Sequence, residues 1–392
     1  SSIVGRAHDE TSDAFEMLSE AQNNMMEIGV ESGSDNGDLS TVADDQMKQH
    51  IESTKRRRAG ENPITGIATG FPRIDEMTGG FGDEELIIIA ARPSMGKSAW
   101  ALVTGINAAV EQGTRTAIFS LEMSKSQWFN RAVGVLSEVN MQKIARGYGS
   151  DDELKRMYEA TKKVKDLPLW VIDKPGLGVA GIRAKARRLV QSQGIDMIMV
   201  DYLQLINSDA IDANREQQVA QISRQLKEIA MDLGIPVVAL SQINRRSLSQ
   251  GGGKRPQLSH LRESGALEQD ADIVSFIHRP ERLGIEKHDI LEVPSHGLAD
   301  FIIEKQRNGP VGTVFMKFIE EYAKFKPMGL KAELGEDGEE LMDNDQFEGS
   351  SIVGQTIPAW AHNLISEEES NDEGEEEEEK DEEETVDREE EE

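Results

Sequence analysis

Six short apolar bursts punctuate the middle of the chain: ELIIIA (85–90), TAIFSL (116–121), DMIMV (196–200), PVVAL (236–240), DIVSFI (272–277) and DFIIEK (300–305). Helical patterns separate them. Near-continuous apolar strands alternating with helices predict a mainly parallel sheet with helices on both faces, an α/β fold. Such sheets bind ligands at the carboxyl ends of their strands.

The flanks behave differently. The net charge of −30 is concentrated outside the apolar bursts, with 19 acidic and 2 basic residues in 367–392 alone. Residues 55–330 are left slightly basic, so the low overall pI does not exclude a polyanionic ligand. The composition predicts a disordered arm at 1–12, a flexible acidic linker at 30–62, a folded domain at 63–330 and a disordered acidic tail at 331–392. Between arm and linker, DAFEMLSEAQNNMMEI (13–28) predicts an amphipathic helix closed by Gly29. Its Leu18, Ala21, Met25 and Ile28 share a face, and Asp13 and Glu16 have capping-box spacing. An isolated helix of this length needs a surface to dock on. The pentapeptide SSIVG occurs at both 1–5 and 350–354. The chain has no cysteine, which excludes disulfides and thiolate metal sites and fits an intracellular, cytoplasmic protein. No apolar run reaches the roughly 18 residues of a membrane span.

Directly after the first burst stands ARPSMGKS (91–98), one residue away from the phosphate loop G-x-x-x-x-G-K-[ST]. Ala91 replaces the first glycine and is tolerated if its φ stays negative. Backbone N–H groups of 94–98 would ring a β-phosphate at the start of a helix predicted to run to Gly113. The ATP-binding set is Arg92, Ser94, Met95, Gly96, Lys97, Ser98 and Ala99. Lys97 would reach the β and γ oxygens, and Ser98 would bind Mg²⁺.

Three further strand ends carry polar residues suited to the same chemistry. Asp201 closes DMIMVD and fits a carboxylate that holds Mg²⁺. Glu122 closes TAIFSLE and fits a residue that orients the attacking water. Gln242 closes ALSQ and fits a γ-phosphate sensor. The following loop, NRRSLSQGGGKRPQ (244–257), brings Arg245, Arg246, Lys254 and Arg255 among three glycines, a pattern suited to nucleic acid. Lys305 and Arg307 lie two apart on an extended segment before a Gly-Pro turn. Two neighbouring cations need an anion to face. Since Lys97 already serves the chain's own phosphates, the pair suits a neighbouring subunit's γ-phosphate.

Taken in order, ARPSMGKS, FSLEM, DYLQL, LSQINRR, KRPQLSHLRESGALEQDADIVSFIHR and KQRNGPVGTV resemble the ATPase domain of the DnaB-type replicative DNA helicases, a RecA-like fold. LRESGALEQDAD (261–272) and KQRNG are the most specific blocks. Alanine at the first phosphate-loop position is usual in that family. The resemblance implies a homo-hexameric ring around single-stranded DNA, 5′→3′ movement, ATP hydrolysis between subunits, and a helicase loader and a primase as partners. It implies Arg131 near the nucleotide, and Arg262, Glu263 and Gly265 as contacts to the DNA backbone. The helix at 13–28 resembles the family's linker helix, which packs on the adjacent ATPase domain. The family's N-terminal domain has no counterpart upstream of residue 13, which puts primase binding in question. The acidic tail and long linker also depart from the family and favour a phage or otherwise divergent member. A recombinase-class single-strand DNA-dependent ATPase is the alternative, against which the LRESGALEQDAD block weighs.

Overall fold

The computed structural model describes residues 40–58, 64–207, 215–243 and 255–328. The predicted helix at 13–28, the acidic tail and Arg245, Arg246 and Lys254 lie outside these residues.

In chain order the elements are α1 (Ser40–Arg58), α2 (Pro72–Thr78), β1 (Leu86–Ala91), α3 (Lys97–Gln112), β2 (Thr116–Ser120), α4 (Lys125–Ser137), α5 (Met141–Arg146) and α6 (Asp151–Asp166). Then follow β3 (Leu169–Asp173), α7 (Val179–Gln193), β4 (Met197–Asp201), α8 (Arg215–Leu233), β5 (Val237–Gln242), α9 (Gly265–Asp270), β6 (Ile273–His278), β7 (Leu298–Gln306), β8 (Gly312–Ile319) and β9 (Lys324–Pro327). The chain divides into two units, and α1 belongs to a different unit from the sheet and its helices.

Helix α1 corrects the expectation of a flexible linker throughout 30–62. The Ser-, Gly- and Asn-rich turn composition is confined to the residues before 40. From Ser40 onward helix formers dominate, and Lys55, Arg56, Arg57 and Arg58 place positive charge at the negative end of the helix dipole.

One nine-stranded sheet, ordered β3-β2-β4-β5-β1-β6-β7-β8-β9, organises the domain. The six strands from β3 to β6 run parallel, and β7, β8 and β9 continue antiparallel. Every residue of β1 is buried. Its side chains alternate between two cores: Ile87, Ile89 and Ala91 join one, and Leu86, Ile88 and Ala90 the other. Helix α3 covers the first core, with Trp100 stacked 6.0 Å from Phe71 and 4.9 Å from Phe301. Helices α7 and α8 cover the second through Ile182, Ala186, Ile222 and Leu226. Two-sided burial is what turned these strands into continuous apolar runs. Helix α3 ends at Gly113, whose φ of 68° is the left-handed stop its sequence predicts.

Candidate nucleotide site

The loop between β1 and α3 leaves the carboxyl edge of the central strand. Ser94 (φ 64°) and Gly96 (φ 101°) turn the backbone there. A Cβ on Gly96 would lie 3.0 Å from the Phe325 ring, so the glycine is required both by its dihedral and by the aromatic packed on it. Phe318 and Phe325 pair at 4.7 Å beneath this loop. Neither was marked by its sequence, because both come from the antiparallel extension.

Lys97 begins α3 and is 8% exposed. Its Nζ lies 3.8 Å from Asp201 Oδ1 and 4.7 Å from the centroid of the Tyr202 ring. Burial pushes its pKa down, while Asp201 and Glu122 pull it back up. Burial also lowers Arg131, against the same two carboxylates. Two cations and two carboxylates from β1–α3, the β2–α4 turn, α4 and β4 therefore converge. Asp201 is 1% exposed, and neither of its carboxylate oxygens accepts a hydrogen bond from the described residues. A buried carboxylate with open lone pairs fits the donor set of a hard divalent cation, and Ser98, the second residue of α3, offers a hydroxyl.

The Glu122 turn is held rigidly. Ser120 Oγ donates to the Met123 carbonyl at 2.6 Å and accepts from Trp128 Nε1 at 2.8 Å. Ser124 and Gln127 form a capping box that starts α4 one residue further on. Leu121 N–H donates to the Asp201 carbonyl at 2.8 Å, which ties this turn to the end of β4. Gln242 ends β5 beside Ala91 in the β1–β5 register. Gln204, which lies inside the quoted DYLQL, was given no role by its sequence. Its amide meets the backbone of Gln242.

Lys305 and Arg307 sit elsewhere. Lys305 pairs with Val274 near the start of β6, whereas Ile277 near its end pairs with Ala91. Arg307 N–H donates to the Asp272 carbonyl at 3.0 Å. Asp272 and Ile277 are separated by roughly 16 Å of strand. The pair thus occupies the amino edge of the parallel strands, opposite the chain's own phosphate loop. Both side chains are also engaged within the chain. Lys305 Nζ donates to the Ala271 carbonyl at 2.6 Å, and Arg307 Nη2 to the Gln269 carbonyl at 2.7 Å. Arg307 Nη1 also lies 3.2 Å from Asp272 Oδ1. These open carbonyls end α9, where partial negative charge collects.

Arg262 and Glu263 lie in the 3₁₀ turn Leu258–Ser264, and Gly265 begins α9. Arg255, read from its sequence as a DNA contact, is paired within the chain. Its Nη2 lies 3.2 Å from Asp300 Oδ2 and donates to Thr313 Oγ1 at 3.0 Å, and its Nη1 lies 3.5 Å from Asp289 Oδ1. Two acids far along the chain compensate it. His288 joins the same acids, but both ring nitrogens are used. Nε2–H donates to Asp300 Oδ1 at 2.8 Å, and Nδ1 accepts from the N–H groups of Ile290 and Leu291. The group is an internal network of ion pairs and hydrogen bonds.

A central parallel sheet with a phosphate loop, strand-end carboxylates and a strand-end glutamine defines a RecA-like P-loop ATPase domain. The family described as "DnaB-like helicase C terminal domain" matches residues 66–327, and the chain belongs to that family. It is 41% identical over 311 residues to the replicative DNA helicase DnaC of Bacillus subtilis, and 42% identical over 314 residues to DnaB of Geobacillus stearothermophilus. These alignments take in 79% of this chain and 66% of each relative, so the chain spans about two-thirds of their length. Among solved structures it resembles one described as an ATPase domain, with a TM-score of 0.64 and 36% identity over 72% of this chain and 98% of that one. A DnaB-like replicative helicase, described with its interactions with primase, aligns with a TM-score of 0.69 and 34% identity over 84% of this chain and 74% of that one. None of the described helices is long and apolar enough to cross a membrane.

Proposed function

We propose that the chain is the motor of a ring-shaped replicative helicase, hydrolysing ATP between subunits and moving 5′→3′ along single-stranded DNA. The observation that supports this reading is the placement of two groups of charged residues at opposite edges of the sheet. Lys97, Asp201, Glu122 and Arg131 gather at the carboxyl edge, while Lys305 and Arg307 stand at the amino edge of the same molecule. A second copy, as in a homo-hexamer, supplies the missing cations if its amino edge faces this loop.

Within the site, residues 92–99 cradle the triphosphate and Lys97 neutralises its β and γ oxygens. Ser98 and Asp201 are the residues that would hold Mg²⁺, which supplies charge neutralisation of the phosphates. Glu122 orients the attacking water and accepts its proton. Gln242 contacts the γ-phosphate and passes its presence to the segment that follows β5. Arg307 from the adjacent copy stabilises charge on the phosphoryl group as it leaves, and Lys305 assists. Release of that contact after hydrolysis loosens the grip of Arg262, Glu263 and Gly265, with Arg245, Arg246 and Lys254, on the DNA backbone. The site of work is the replication fork in the cytoplasm of a bacterial or phage-infected cell, with a loader and a primase as partners.

The test is a mixing experiment. Arg307→Ala is titrated into the wild-type chain, and ATP hydrolysis is followed with single-stranded DNA present. Poisoning steeper than simple dilution is expected, because one defective subunit disables its neighbour's site. A linear fall in activity overturns the shared site.

A further inference from the structure

The β4–β5 ladder is shorter than either strand. Its register runs from Ile198 opposite Val237 to Val200 opposite Ala239, and there it stops. Strand β5 continues to Gln242, while the chain after Asp201 turns away into the 3₁₀ turn Leu203–Leu205. Backbone groups along a parallel strand face alternate sides. Ile243 N–H donates to the Ala91 carbonyl at 2.9 Å, towards β1. The N–H and C=O of Gln242 therefore face the other way, where β4 no longer offers a partner.

Gln204 fills that gap. Gln242 N–H donates to Gln204 Oε1 at 3.1 Å, and Gln204 Nε2 donates back to the Gln242 carbonyl at 3.1 Å. The same Nε2 reaches Ser241 Oγ at 3.0 Å. A primary amide carries the donor and acceptor of a peptide group, so this side chain continues the ladder where the strand has ended. Its own backbone is fixed three residues from Asp201, with Leu205 N–H donating to the Tyr202 carbonyl at 3.0 Å.

We propose that Gln204 is a positioning residue that couples the carboxylate end of β4 to the sensor end of β5, setting where Gln242 stands when a γ-phosphate is present. The proposal rests on the reading of Gln242 as the γ-phosphate sensor. A change at Asp201 then reaches Gln242 through one short turn and two hydrogen bonds, and binding of the triphosphate is distinguished from that of the diphosphate at this joint.

The experiment uses the full chain and two nucleotides, ADP and a slowly hydrolysed ATP analogue, each titrated by calorimetry. The wild type is expected to prefer the triphosphate. In Gln204→Ala the preference falls about tenfold, the size of one lost hydrogen bond to a charged group, while ADP affinity holds. The turnover number for ATP falls with it. Gln204→Glu keeps the acceptor for Gln242 N–H but loses the donor, so it shows the same defect at neutral pH. Its preference recovers as the pH is lowered and the new carboxyl regains a proton to donate. A merely structural role would lower the melting temperature of both variants and leave the nucleotide preference of the folded protein unchanged. That result, or a Gln204→Glu defect insensitive to pH, overturns the proposal. A wild type that binds ADP and the analogue equally would instead refute Gln242 as sensor, and a wild type that binds neither would refute the phosphate loop; either removes the ground of the coupling.

Discussion

At the scale of single residues, the nucleotide site is a balance of charges removed from water. Lys97 is buried, and desolvation pulls its pKa down while Asp201 and Glu122 oppose that shift. Lys97→Ala removes the cation proposed to contact the transferred phosphate, while Arg131 continues to offset the acids. ATP hydrolysis by this variant is expected to fall at least about a hundredfold, with an unchanged far-ultraviolet circular dichroism spectrum. Near wild-type turnover would refute the phosphate-loop assignment. Gly96→Ala should be comparably damaging for another reason. Its added methyl meets the Phe325 ring at a φ that alanine rarely adopts.

Elements carry those residues, and their legibility followed from burial. The six predicted strands stood out because both faces are covered. β3 lies at the sheet edge with every residue only partly buried, so LWVID gave a weak signal. β8 alternates between buried and part-buried positions, and its pattern calls for the period of two rather than an apolar run. The strand-end groups Glu122, Asp201 and Gln242 were legible because a polar residue closing an apolar run is a local feature. Gln204 was not, since its task depends on where β4 and β5 part company, 38 residues away in the chain. The ion pairs of Arg255 were hidden for a similar reason: its basic loop does not reveal that Asp289 and Asp300 face it.

Contacts between elements also set the pH dependence. Glu138, at the end of α4, accepts from Lys324 at 2.9 Å and lies 3.0 Å from Lys326, joining this helix to β9. The hydrogen bonds from these lysines lower its pKa from 4.5 to about 2. A depressed carboxyl adds stability above its unfolded pKa and loses it as the pH falls through the folded one. Glu138→Gln should therefore lower the melting temperature slightly at neutral pH, because these ion pairs are partly exposed to solvent. The gap from wild type should close between about pH 4.5 and about pH 2. A gap constant across that window would show that the ion pairs contribute nothing. Deeper in the fold, Trp100→Ala should cost about 3–5 kcal/mol, measured by denaturant unfolding, since it empties the stack between Phe71 and Phe301.

The whole molecule sets two charge distributions against each other. A domain of the DnaB-like family, preceded by the basic run Lys55–Arg58, is joined to a segment with 19 acidic residues in its last 26. A motor that grips the DNA backbone through cations works by displacing counterions, so its affinity falls steeply with salt. A linked polyanion presents those cations with a competitor at high effective concentration. Removing residues 367–392 is accordingly expected to tighten binding to a fluorescent single strand at low ionic strength. The advantage should shrink as salt rises, because the same screening weakens both competitors and the Debye length drops to about 8 Å at physiological ionic strength. Equal affinities with and without the segment at low salt would show that the acids do not reach the DNA-binding cations. A salt-independent gain would place the effect of the segment on assembly of the chain rather than on competition for its charge.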